Sequence, residues 1–370
     1  MKHTFTILFF LLSAVAAFGQ DAAKIRQAMD KGAEFLRSSQ KETGAWSATP
    51  RSGIGPTTII LAGLIDAGVK ADDPMIKKGL TFLEASTRED GGVYTPDGFF
   101  QNYETCCAVM CFAKANAAIK KANGSEPYKE LLARAEKFLR KQQYTEDRDS
   151  KKEDPNYGGV GYGGTTRPDL SNTQFFLDAL KATGKDANDP AIQKALVFVS
   201  RCQNMESEHN TLPFVKENAA NLDGGFIYVN QPGESRMETK AESLRSYGAM
   251  TYAGLKSMLY AGLTKEDKRV KAAFTWIAGH YTVTENPGRG TNGLFYYYQT
   301  MAKALGVLQL LEITDTEGKK HNWRSDISAH LLQKQREDGS WINEGSRQYM
   351  ENDPNLVTGY ALLVLSEVRQ

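Results

Sequence analysis

Apolar residues recur along this chain in two distinct patterns. In one, a single face is apolar: Ile25, Met29, Ala33 and Leu36 fall at intervals of four, four and three. That spacing builds one stripe along an α-helix. In the other, nearly every position is apolar, as from Thr58 to Ile65, Thr105 to Phe112 and Leu356 to Leu365. A helix with one stripe covers a core from outside, and a helix apolar all round lies within it.

The two patterns alternate. Six segments open on a striped helix and run to a Gly-containing turn with an aromatic residue: Gly32 to Trp46, Gly79 to Tyr94, Ala135 to Tyr162, Ala195 to Phe226, Ala273 to Phe295 and Ser328 to Trp341. Their spacing of roughly fifty to eighty residues is that of a helical repeat array or a closed toroid. The expectation is an all-α chain of six outer and six inner helices in two concentric rings, an (α/α)6 barrel. Asp73-Pro74 and Asp189-Pro190 are helix starts, a capping acid before a proline at the first helical position. Only Gly225–Val229 reads as a short hairpin arm. The long connections Tyr144–Pro168 and Asn204–Met237 are expected to cover one mouth of the ring.

The first residues follow another logic. A basic start at Lys2, an apolar run from Phe5 to Ala17 and small residues Ala17 and Gly19 make a secretory signal over residues 1–19. The run is short for a membrane span, and no later segment is long and apolar enough to cross a membrane. The mature chain, 20–370, is then one ring domain, secreted or periplasmic. Removing Lys2 leaves 44 basic against 44 acidic residues and no basic block, which excludes nucleic acid as a natural partner. Cys106, Cys107, Cys111 and Cys202 are read as buried thiols, with a bridge from Cys202 left open.

Gln335-Arg-Glu-Asp338-Gly339-Ser340-Trp341 resembles the repeat motif of squalene and hopene cyclases, shared more loosely by protein prenyltransferase β subunits. Weaker copies stand at Gln40–Trp46, Asp90–Tyr94 and Asp223–Phe226. The resemblance implies the α/α toroid, with glutamine and tryptophan tying each outer helix to the next inner one. It says little about chemistry. Those cyclases start their reaction with a protonated aspartate in Asp-x-Asp-Asp-Thr, and the matching stretch here is Asp169-Leu-Ser171-Asn172-Thr173. Serine occupies the acid position, so proton-initiated cyclisation by this motif is not expected. Asp169 is expected to be a solvated, ionised helix cap.

Prenyltransferases hold zinc with aspartate, cysteine and histidine. Glu104 and Cys106 have the right chemical types, but His280, His321 and His330 follow outer-helix or loop patterns, so no metal and no cofactor is expected. Sugar-cleaving toroids need paired acids. Glu104, Asp169, Glu238, Glu242 and Asp353 stand near inner-helix starts, and no pair is singled out. Glu104 and Asp169 remain the weak catalytic candidates. Candidate ligand contacts are Tyr103, Glu104, Asn172, Tyr247, Tyr252, Tyr297 and Tyr298; core packing explains the last tyrosines equally well. The glycines of Tyr157–Gly164 suit a tight loop descending over the mouth rather than a phosphate loop, because no strand precedes them.

The expected function is binding of, or action on, an isoprenoid or other apolar ligand in the central cavity. Alternatives are a non-catalytic scaffold and a carbohydrate-active enzyme, so partners range over apolar small molecule, lipid and glycan. Intact-mass measurement of natively exported protein is expected to place the mature N-terminus at Gln20; retention of residues 1–19 would refute the signal.

Overall fold

Helices account for nearly all regular structure in the computed structural model, which describes residues 4–49, 52–96, 98–217, 222–231 and 243–369, with side chains from residue 22 on. The outer helices are α1 (Thr4–Ser39), α3 (Pro74–Glu84), α5 (Lys129–Arg140), α7 (Pro190–Arg201), α10 (Lys268–Gly279) and α12 (Trp323–Lys334). The inner helices are α2 (Gly55–Asp66), α4 (Gln101–Asn123), α6 (Leu170–Ala182), α9 (Gly248–Tyr260), α11 (Leu294–Val307) and α13 (Pro354–Val368). A short α8 (Pro213–Glu217) lies in the connection between α7 and α9. Each inner helix packs on its neighbours in the ring, and α13 closes on α2. This is the expected α/α toroid. Asp73 and Asp189 cap α3 and α7 as their Asp-Pro signals predict, accepting from Met75 N at 2.8 Å and Ala191 N at 2.9 Å. The arginine ending the preceding outer helix forks each cap: Arg37 on Asp73 and Arg140 on Asp189.

The hairpin arm expected at Gly225–Val229 does not form. Phe226 makes only an isolated bridge with Gln203, and the two-stranded sheet among the described residues pairs Ile313–Thr314 with Lys320–His321. The expected cut before Gln20 falls inside the continuous helix α1.

The repeat motif resolves into a three-part joint. The tryptophan indole donates to its own outer helix: Trp46 Nε1 to Leu36 O at 2.7 Å and Trp341 Nε1 to Leu331 O at 2.8 Å. Its backbone N–H donates to a buried threonine in the first turns of the following inner helix, Thr57 or Thr358. The glutamine behaves differently from the expectation, because it skips the inner helix and reaches the next outer one, in its first turn for Gln40, Gln143 and Gln203 and inside α1 for Gln335. Gln40, Gln143, Gln203 and Gln335 each donate to a carbonyl of the turn and to one of Met75, Ala191, Arg269 or Ala28. A glycine at φ near +90°, such as Gly44 or Gly339, presses the turn onto that next outer helix, where a Cβ would meet the Lys78 or Lys31 carbonyl.

The threonine contact also corrects the sequence alignment. In the second and third repeats Val93 and Val160, rather than Tyr94 and Tyr162, donate to the inner-helix threonine. In the fifth, Phe295 lies within α11 instead of in the turn.

Trp341 is completely buried. Trp341→Ala removes its packing and one joint of the ring, and is expected to cost about 3–5 kcal/mol. A fall in Tm measures it, and an unchanged Tm would mean the joint is dispensable.

Candidate functional site

The inner helices surround a lumen that is layered along its axis. At the end where they begin, an aromatic collar crosses it. Phe175 of α6 meets Tyr103 of α4 edge-on at 5.3 Å and lies stacked on Tyr296 of α11 at 6.0 Å. Tyr162, from the glycine-rich loop, packs against Phe100 and Tyr103. That loop descends as its glycines suggest, with Tyr162 O accepting the Asn102 N–H at the start of α4.

Toward the other end each inner helix contributes a charged side chain to one belt: Asp66, Lys114, Asp178, Lys256, Lys303 and Glu367. Lys114 pairs with Asp66 at 2.6 Å, and Lys256 and Lys303 both pair with Asp178, at 2.6 and 2.8 Å. Asp178 and Lys256 are fully buried. Burial pushes the Asp178 carboxyl up, but the two lysines outweigh it and hold the group below its usual range. Burial pushes Lys256 down to about 8. Glu367, raised by burial, feels both Lys303 and Lys114 and completes a belt of three positive and three negative groups. Between collar and belt remains a chamber of about 50 Å3.

Among the described residues, three acids at the collar end, Glu104, Glu351 and Asp169, are engaged with backbone. Glu104 accepts from Thr95 N at 2.6 Å and from Ile54 N at 3.3 Å, so it braces the start of α2. Glu351 accepts from Phe295 N and Tyr296 N and braces α11. Asp169 caps α6 through Asn172 N at 2.8 Å and binds Asn172 Nδ2 at 2.7 Å. Asp169 is not the solvated cap expected: it is 3 % exposed, and burial pushes its carboxyl up to about 6 against the hydrogen bonds from Asn172. Ser171 Oγ lies 2.9 Å from the Tyr296 hydroxyl.

Of the tyrosines proposed to contact a ligand, Tyr103 lines the collar. Tyr247 precedes α9 beneath the Arg289 guanidinium, 4.4 Å from its ring centroid. Tyr252, Tyr297 and Tyr298 are core residues: Tyr252 packs on Tyr297 at 5.8 Å, and Tyr297 and Tyr298 donate to the Thr282 and Val283 carbonyls. The four cysteines are buried and free. Among the described residues no cluster of three or more His, Cys, Asp or Glu is arranged to hold a metal. Glu238 and Glu242 lie outside the described residues. Sequence reasoning missed the belt, whose only signal was a charge set within each largely apolar inner helix, the sole one in four of the six.

Because the Asp169 carboxyl is held above its ordinary value, the folded protein binds that proton more tightly than the unfolded chain does. The resulting stability is full below about pH 4 and is lost as pH rises through about 6, a swing of about 3 kcal/mol. The Tm of the wild type relative to Asp169→Asn, which keeps the cap, is expected to fall over that range. A pH-independent difference would refute the raised value.

Residues 4–166 match the squalene-hopene cyclase C-terminal domain family. No curated protein sequence gives a significant match. Among solved structures, the type II terpene cyclase MstE from Scytonema, without ligand, is similar at 13 % identity and a TM-score of 0.52, covering 94 % of this chain and 98 % of that one. A glycosyl hydrolase family 88 protein from Bacteroides vulgatus is similar at 12 % identity and a TM-score of 0.54, covering 94 % and 99 %. Two different chemistries thus share the architecture, and at these identities the likeness is one of fold. With its ring and its motif joints this protein is an α/α toroid, similar over residues 4–166 to the squalene-hopene cyclase C-terminal domain family.

Proposed function

We propose that this protein is an exported binding toroid that takes a small amphipathic ligand into its ring and does not cyclise a polyene. The observation that carries the reading is the small size of the chamber among the described residues. A chamber of about 50 Å3 lies far below the roughly 300–1,000 Å3 typical of small-molecule pockets. A long isoprenoid cannot lie there while belt and collar hold their positions.

The chemistry supports the same reading. Ser171 stands at the position of the family's acid, and a hydroxyl is too weak an acid to protonate an alkene. Glu104, Asp169 and Glu351 each hold the start of an inner helix. That engagement also counts against a sugar-cleaving pair, which needs one free acid and one free base or nucleophile. Export rests on the signal read in residues 1–19.

Incubating the mature protein with squalene and oxidosqualene, followed by gas chromatography, is expected to yield no cyclic product. Turnover abolished by Asp169→Asn would overturn the reading and make Asp169 the acid.

A further inference from the structure

The chamber is more specific than a packing defect. Its walls are apolar, with Ile59, Met110, Leu363 and Val364 below a roof of Phe175 and Tyr360. Thr58 and the paired belt groups Asp66, Lys114 and Lys303 also line it, and with them two polar groups that the belt leaves without a direct partner. The Gln299 amide has its Oε1 enclosed without a hydrogen-bond partner. The Glu367 carboxylate makes no direct hydrogen bond or ion pair among the described residues, although burial has raised its pKa. Enclosing an amide carbonyl in an apolar wall with nothing to accept is unfavourable, and a native structure keeps such a group where something else supplies the donor.

The charge balance narrows what that donor can be. The belt already sets three positive groups against three negative ones, and a charged ligand would leave one of them uncompensated at low dielectric. A hydroxyl is neutral and both donates and accepts. It can give its proton to Gln299 Oε1 or to Glu367, and its oxygen can accept from the Gln299 Nε2 amide. Size narrows it further. A water-sized group needs about 10–15 Å3 of such space, so only about three to five heavy atoms fit inside. The rim is wet: the side chains of Lys114 and Asp66 are 36 % and 23 % exposed. A longer tail can pass between them.

We propose that the chamber is a binding site for a neutral, hydroxyl-headed aliphatic molecule, with its hydroxyl held by Gln299 and Glu367 and its apolar part under Phe175 and Tyr360. This rests on the reading of the ring as a binding toroid.

The test is a titration of the full mature protein with 1-butanol, butyrate and butylammonium, followed by saturation-transfer NMR. Butanol is expected to bind saturably, and each ion roughly tenfold more weakly or worse. Gln299→Leu is expected to weaken butanol by roughly tenfold, whereas Glu367→Gln, which keeps an acceptor, changes it by less than about threefold. Should Gln299→Leu fold poorly, Val364→Phe fills the chamber from its apolar wall and is expected to abolish binding. The proposal is overturned if either ion binds as well as butanol, if Gln299→Leu or Val364→Phe leaves butanol binding intact, or if none of the three binds and the chamber holds water only. Cyclic product from squalene would instead overturn the binding reading, and that assay is independent of the titration.

Discussion

A ring of helices has to be joined to itself, and here the joint that closes it is one side-chain amide. Gln335, at the end of the last outer helix, donates to Gly339 O within its own turn and to Ala28 O in the first outer helix. Gly339 sits at φ +87° and lets the turn lie directly on Lys31. The same joint recurs at Gln40, Gln143 and Gln203, so closure is the repeat step applied once more. The tryptophan indole satisfies a carbonyl in the last turn of its outer helix that the helix end would otherwise leave open, and the threonine contact then fixes the inner helix against the outer one.

Closure also sets what the lumen can hold. Six inner helices bring six charges together around the lumen. A lone charge inside an apolar helix would be costly to bury. Around a closed ring five of the charges become one another's partners, Asp178 serving two lysines at once, and Glu367 lies within their field. Replacing one member by an apolar residue would leave the others uncompensated, the costly way to disturb a buried pair. The belt is therefore a structural commitment made by all six repeats together, and it occupies space that a large substrate would need.

The collar end shows the same economy. Positions where an enzyme on this architecture could keep reactive carboxylates are taken by Glu104, Asp169 and Glu351, each satisfying backbone N–H groups at a helix start. Ser171 and Tyr296 satisfy each other. The likeness to both a terpene cyclase and a glycosyl hydrolase is intelligible on these terms. The joints that build the ring are independent of the few side chains that face its lumen, so one ring can serve unrelated chemistries.

The sequence by itself determined the alternation of outer and inner helices, their number, the Asp-Pro starts and the descending glycine loop. Each of these depends on residues close together in the chain, through helical periodicity, local capping and turn geometry. It also pointed to Tyr103 in the lumen and to a core role for Tyr297 and Tyr298 as one of two options. What only the tertiary structure decided involves partners far apart in sequence. The reach of each glutamine to the next outer helix, the choice of Val93 and Val160 over their neighbouring tyrosines, the burial that raises Asp169 and the six-helix belt are all of this kind. Helical spacing says which face a residue occupies. Only closure of the ring says what stands opposite, and electrostatics and desolvation depend on what stands opposite.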